Sequence, residues 1–114
     1  MEVFRFGPET GKPIRQFESQ ALMSKICHTT SETRMSCVHL DTDGLIGFHE
    51  AKVPQLMLVV SGNATVSTAD KTDEVGVGDA VFWKEGEHHQ TTSTIGMTAL
   101  IIESETLNPN LLRK

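Results

Sequence analysis

Residues 78–89 read Gly78-Asp79-Ala80-Val81-Phe82-Trp83-Lys84-Glu85-Gly86-Glu87-His88-His89. A short apolar run closed off by a glycine-aspartate turn before it and by Glu85-Gly86-Glu87 after it has the length and punctuation of a strand. Outward along the chain the same pattern repeats. Arg34-Met35-Ser36-Cys37-Val38-His39-Leu40 and Asn63-Ala64-Thr65-Val66-Ser67-Thr68-Ala69 alternate with a period near two and favour strands. Further turn signals stand at Thr10-Gly11-Lys12-Pro13, Asp41-Thr42-Asp43-Gly44 and Ser61-Gly62-Asn63. Helical periodicity is scarce. Many short strands between Gly, Asp and Pro turns predict an all-β sandwich or barrel.

The chain has 114 residues, 38% hydrophobic and 22% charged, which suits one domain with a core that needs no staple. Fifteen acidic against ten basic residues give a formal net charge of -5. No cluster of Lys and Arg is present to follow phosphates, and aromatic residues are only 5% of the chain, so no nucleic-acid partner is expected. The amino terminus lacks the apolar core of a signal peptide, and the longest apolar run, Leu56–Val60, is far short of the roughly 20 residues a membrane helix needs. The expectation is a cytoplasmic protein with no membrane partner. Cys27 and Cys37 fit neither a CxxC motif nor a usual zinc knuckle and read as small buried hydrophobes.

Leu56–Val60 and Met97–Ile102 are apolar at successive positions, as in strands covered on both faces by a second sheet or a second subunit. That need for outer cover predicts a homodimer. Residues 1–20, with Pro8, Gly11 and Pro13, read as an N-terminal arm, residues 21–105 as the barrel, and residues 106–114 as a tail whose Asn108-Pro109-Asn110 frames one helical turn.

Five histidines carry the chemistry. His28 and His39 lie in strand patterns without an acidic or histidine partner at ligand spacing. His49 precedes a proline-interrupted approach to Gln55, while His88 and His89 follow the turn at Gly86. At these positions the chain resembles the cupin superfamily over about residues 35–103. The first cupin motif, G-x5-H-x-H-x3,4-E-x6-G, counted back from Gly62, puts its glutamate on Gln55, its second histidine on Ala51 and its first on His49. The second, G-x5-P-x-G-x2-H-x3-N, matches at Gly78, Gly86 and His89, with Lys84 for the proline and Ser93 for the asparagine. The resemblance implies a single cupin barrel, a double-stranded β-helix or jelly roll, of the small RmlC-like kind with degenerate metal-binding motifs.

It also implies where a site would lie. Residues i and i+2 of a strand share a face, so an H-x-H pair aims two imidazoles into a lumen, and here one remains. His49, Gln55 and His89 form the candidate metal set for iron, manganese, nickel or zinc, weakened by loss of the anionic ligand, or they remain metal-free as polar groups in an apolar pocket. With Met57 and Trp83 they make the candidate ligand-binding set. Met97, on the last strong strand, is a further lumen candidate, and Glu87 shares the parity of His89 as a carboxylate substitute. His88, of opposite parity, is expected outside.

The leading expectation is a protein that binds a small molecule in its lumen, with no assigned reaction. The enzymatic alternative is a metal-dependent oxygenase or isomerase using His49 and His89, completed by Gln55 or Glu87. No serine or cysteine nucleophile motif stands beside these histidines, Gly76-Val77-Gly78 is not a dinucleotide fingerprint, and the absence of tyrosine removes phenolic acid-base chemistry.

Overall fold

A computed structural model describes residues 1–113. Ten strands and three single turns of 3-10 helix follow one another along the chain: β1 (Glu2–Arg5), β2 (Lys12–Ile14), β3 (Ala21–Met23), β4 (Thr33–Leu40), β5 (Gly44–Glu50), β6 (Gln55–Ser67), β7 (Thr72–Gly76), β8 (Asp79–Trp83), β9 (His88–Ser93) and β10 (Met97–Ser104). The all-β reading holds. β8 is the apolar run between the turns at Gly78 and Gly86, and β9 begins at the histidine pair His88-His89. Pro109 caps the last 3-10 turn, Asn110–Leu112, where the tail was expected to curl.

Eight strands form one branched sheet that folds over itself, and β6 is the branch point. Its first part pairs antiparallel with β8 and β10, and its last part pairs with β7 and β9. The two arms of the sheet are β1-β8-β6-β10-β4 and the group of β5, β9, β6 and β7. The sequence reading placed a turn at Ser61-Gly62-Asn63, whereas β6 runs through it and bends. Gly62 adopts φ +74°, and its neighbour in β10 carries a register shift between Thr98 and Ala99. A bulge with a left-handed glycine increases local twist without ending the strand.

The strands do not close into the expected barrel. Among the described residues β4 pairs only with β10, β5 only with β9 and β1 only with β8, so no ladder joins β4 to β5. The reason is local: the turn after Leu40, with Asp43 at φ 58°, sends β5 into the opposite arm instead of back alongside β4.

Apolar side chains fill two layers. Between the arms lie Met57, Val59, Val66, Val75, Val81, Trp83, Met97 and Ala99, all nearly or fully buried. On the outer face of the β8-β6-β10 arm a second layer holds Leu56, Leu58, Phe82 and Ile102 under Leu107 and Leu112 of the tail, with Phe4, Phe6 and Ile26 alongside. The doubly apolar strands are thus covered on one face by the opposite arm and on the other by the chain's own terminal segments. The cysteines depart from the sequence reading: Cys37 is exposed on edge strand β4, and Cys27 is half-buried under the outer layer, where burial pushes its thiol pKa up. No helix among the described residues is long and apolar enough to cross a membrane.

Candidate functional site

At one end of the space between the arms lies a cavity of about 160 Å³ lined by His49, Gln55, Met57, Trp83, Thr91 and His89, with Val38, Ile46, Ile101 and Glu103. The five side chains of the candidate ligand set therefore meet in one place. Backbone register explains how. His49 on β5 is the direct cross-strand partner of His89 on β9, and Gln55 on β6 is flanked by Trp83 on β8 and by Glu103 on β10. Cross-strand neighbours project to the same face, so Trp83, Gln55 and Glu103 form a row about 4.8 Å from strand to strand.

The aromatic groups are stacked in sequence. The Trp83 and His89 rings lie 3.9 Å apart between centroids at 18°, and the His49 ring follows at 4.4 Å from His89 and 53°. Trp83 and His89 are buried, while His49 stands exposed at the rim. The Nδ1 of His49 is 2.7 Å from the carbonyl oxygen of Gly47. A carbonyl only accepts, so Nδ1 is the donor in this contact.

Three buried nitrogens, Trp83 Nε1 and both ring nitrogens of His89, have no hydrogen-bond partner among the described residues. Burial pushes the pKa of His89 down from 6.5 to about 4, with His49 and His88 adding repulsion and Glu87 opposing them. At neutral pH His89 therefore offers one N–H donor and one acceptor, and Trp83 offers a donor alone.

Several expectations are corrected. Met97 does not line the cavity; it is packed in the inner core, the same buried cluster that holds Ala51, which occupies the position of the second cupin histidine. Glu87 is not available as a substitute ligand, because its carboxylate accepts from the amino-terminal nitrogen of Met1 and from the backbone N–H of Lys84. His88 points away, stacked against exposed Phe48, while His28 and His39 are exposed elsewhere. Sequence reasoning missed Glu103 and Thr91. The signal for Glu103 was present: it stands an even number of residues beyond Met97 in one alternating strand, so it shares the inward face.

The ligand set does not fit a tightly held divalent ion. Two imidazoles and a neutral amide make a weak set, and although the Glu103 carboxylate borders the same cavity, the described residues contain no group of three His, Cys, Asp or Glu side chains placed to hold a metal.

Beyond the cavity a larger surface hollow of about 430 Å³ is lined by Ser31, Glu32, Arg34, Val53, Glu103, Ser104 and Glu105. Glu103 borders both spaces.

No protein-family model matches the chain, and no curated protein sequence matches it. Solved structures do. A cupin superfamily protein from Desulfitobacterium hafniense aligns with TM-score 0.61 at 14% identity over 69% of this chain and 72% of its own. An RmlC-like cupin from Shewanella frigidimarina aligns with TM-score 0.62 at 18% identity over 68% of this chain and 69% of its own. A polyketide cyclase from Streptomyces resistomycificus aligns with TM-score 0.60 at 20% identity over 70% and 59%. The chain is a small protein of cupin fold.

Proposed function

We propose that this protein binds a compact small molecule in the cavity between its two sheet arms, with His49, Gln55, Met57, Trp83 and His89 as the contacting side chains. The observation that carries this reading is the set of three buried nitrogens without a partner among the described residues, carried by Trp83 and His89, two side chains that line a cavity of about 160 Å³. Buried donors and acceptors are satisfied in nearly all folded proteins, and each unsatisfied one costs about 1–3 kcal/mol. A cavity of this size has room for about five waters at ~30 Å³ each. A compact ligand that supplies an acceptor for Trp83 Nε1 and a donor-acceptor pair for His89 would displace them, with Met57 and Val38 giving apolar contact.

The alternative is a metal-dependent oxygenase or isomerase with His49 and His89 as ligands. The His49–Gly47 hydrogen bond supports it, since holding Nδ1–H on a carbonyl is how many metal-binding imidazoles are oriented. Against it stands the lack, among the described residues, of three His, Cys, Asp or Glu side chains placed together to hold a metal.

One experiment separates the two. Protein purified without a histidine tag is analysed for metals and then screened by thermal denaturation against a panel of neutral, cationic and anionic fragments. A ligand held at 100 times its dissociation constant stabilises by about 2.7 kcal/mol, a rise in Tm of about 10 °C for a domain of this size. The expected result is no stoichiometric metal, and fragment shifts that shrink in His49→Ala and Gln55→Leu. Stoichiometric iron, manganese, nickel or zinc would transfer the assignment to the metal reading, and a panel that leaves Tm unmoved would sink the cavity reading.

The same proposal extends to assembly and compartment. Among the described residues strand β4 pairs along one edge only, and it carries exposed Met35 and Cys37 opposite Ile102 and Leu100. Long unpaired edges are normally covered, and a second copy pairing along β4 would extend the outer apolar layer into a homodimer. Both cysteines are unpaired, which suits the reducing cytoplasm.

A further inference from the structure

The cavity and the hollow outside it share one charged group, Glu103. Among the described residues its carboxylate has no hydrogen bond or ion pair, and no lysine or arginine lines the cavity. The hollow outside adds Glu32 and Glu105 against the single Arg34, whose guanidinium lies 3.7 Å from Glu32. Approach and interior therefore carry the same sign. An acidic rim alone would be an ordinary solvated surface. Here the shared Glu103 also lines the cavity that holds His89 and Trp83, 4% and 1% exposed, whose ring nitrogens are without partners among the described residues.

We propose that the cavity takes a small primary amine bearing a hydroxyl or carbonyl oxygen, and that it rejects carboxylates. This rests on reading the cavity as a ligand site. The register sets the arrangement: Trp83, Gln55 and Glu103 stand in a row on three adjacent strands, so about two strand spacings, ~10 Å along the sheet, separate the indole from the carboxylate backbone positions. An ammonium on Glu103 forms a charge-assisted hydrogen bond, Gln55 lies between, and the ligand oxygen accepts from Trp83 Nε1 or exchanges hydrogen bonds with His89. A carboxylate in the same place meets Glu103 with no counter-charge, and the acidic hollow lowers its local concentration while raising that of a cation.

Trp83 is the only tryptophan in the chain, so its indole N–H gives one resonance that reports on the site. Ethanolamine, glycolate and ethylene glycol match in size and differ in charge. Titrated into the full-length isotopically labelled protein at low salt, ethanolamine is expected to move the indole signal saturably and with the highest affinity of the three. In Glu103→Gln its affinity should fall about tenfold or more, to that of ethylene glycol, while Glu18→Gln on the N-terminal arm makes the same charge change without effect. Glycolate binding as tightly as ethanolamine, or a preference unchanged in Glu103→Gln, would overturn the amine assignment and leave the cavity reading standing. Silence from all three probes overturns the amine assignment as well. If the fragment panel also leaves Tm unmoved, the cavity reading falls with it.

Discussion

His89 joins burial to titration. Its ring is stacked on Trp83 with the tilted His49 ring nearby, and burial is the largest cause of its low pKa of about 4. Above pH 6.5 both folded and unfolded chains hold this imidazole neutral and its contribution to stability is complete. As pH falls from 6.5 toward about 4 the unfolded chain binds a proton that the folded chain refuses, so stability is lost across that window. His89→Phe keeps the stacked ring and cannot titrate. Urea denaturation at several pH values between 7 and 4 should show the wild type losing stability more steeply than this variant; parallel curves would refute the assignment of the loss to His89. The residues that meet in the cavity were legible because they coincide with motif positions or share a strand parity with them. Glu103 was overlooked because the motif ends before β10, although alternation from Met97 points to it. Glu87 was misplaced for another reason: the partner that occupies its carboxylate, the amino terminus, is 86 residues away.

At the scale of elements, β6 carries the architecture. A Cβ built on Gly62 would stand 2.1 Å from the carbonyl oxygen of Gly96, at a backbone φ of +74° that favours glycine. Gly62→Ala should therefore cost about 2 kcal/mol or more, whereas Gly47→Ala, where a Cβ meets nothing within 4 Å, should be neutral or stabilising by about 0.5 kcal/mol. Chemical denaturation of the two variants checks the contrast, and equal stabilities would show that the bend does not depend on that glycine. The outer layer gives a second test. Leu107 is 3% exposed against Leu56, Leu58 and Ile102, so Leu107→Ala should lower stability by about 2–4 kcal/mol. A loss below about 0.5 kcal/mol would mean that the tail does not cover this face in solution. Glycine at position 62 reads in the sequence as a turn; whether the strand stops there or bends depends on what lies beyond it, here β7 and β9 receiving its second half.

For the whole molecule, assembly through β4 is read by its mass in solution. Light scattering after gel filtration at micromolar concentration should return twice the 12.5 kDa of one chain, and Met35→Arg, which places a charge on the proposed β4 interface, should return one. A wild-type monomer would dismiss the homodimer. The sequence by itself determined the all-β class, the strand at Ala80–Trp83, the histidine pair that opens β9 and the acidic balance of the chain. These follow from alternation, turn residues and composition, which act over a few neighbouring positions. Only the tertiary structure decided that the sheet stays open between β4 and β5, that the outer faces of β6 and β10 are covered by the chain's own termini, and that Glu103 stands beside Gln55 at the cavity. Those outcomes depend on strand pairing and on contacts between segments far apart in sequence, and no local pattern records which distant segment supplies them.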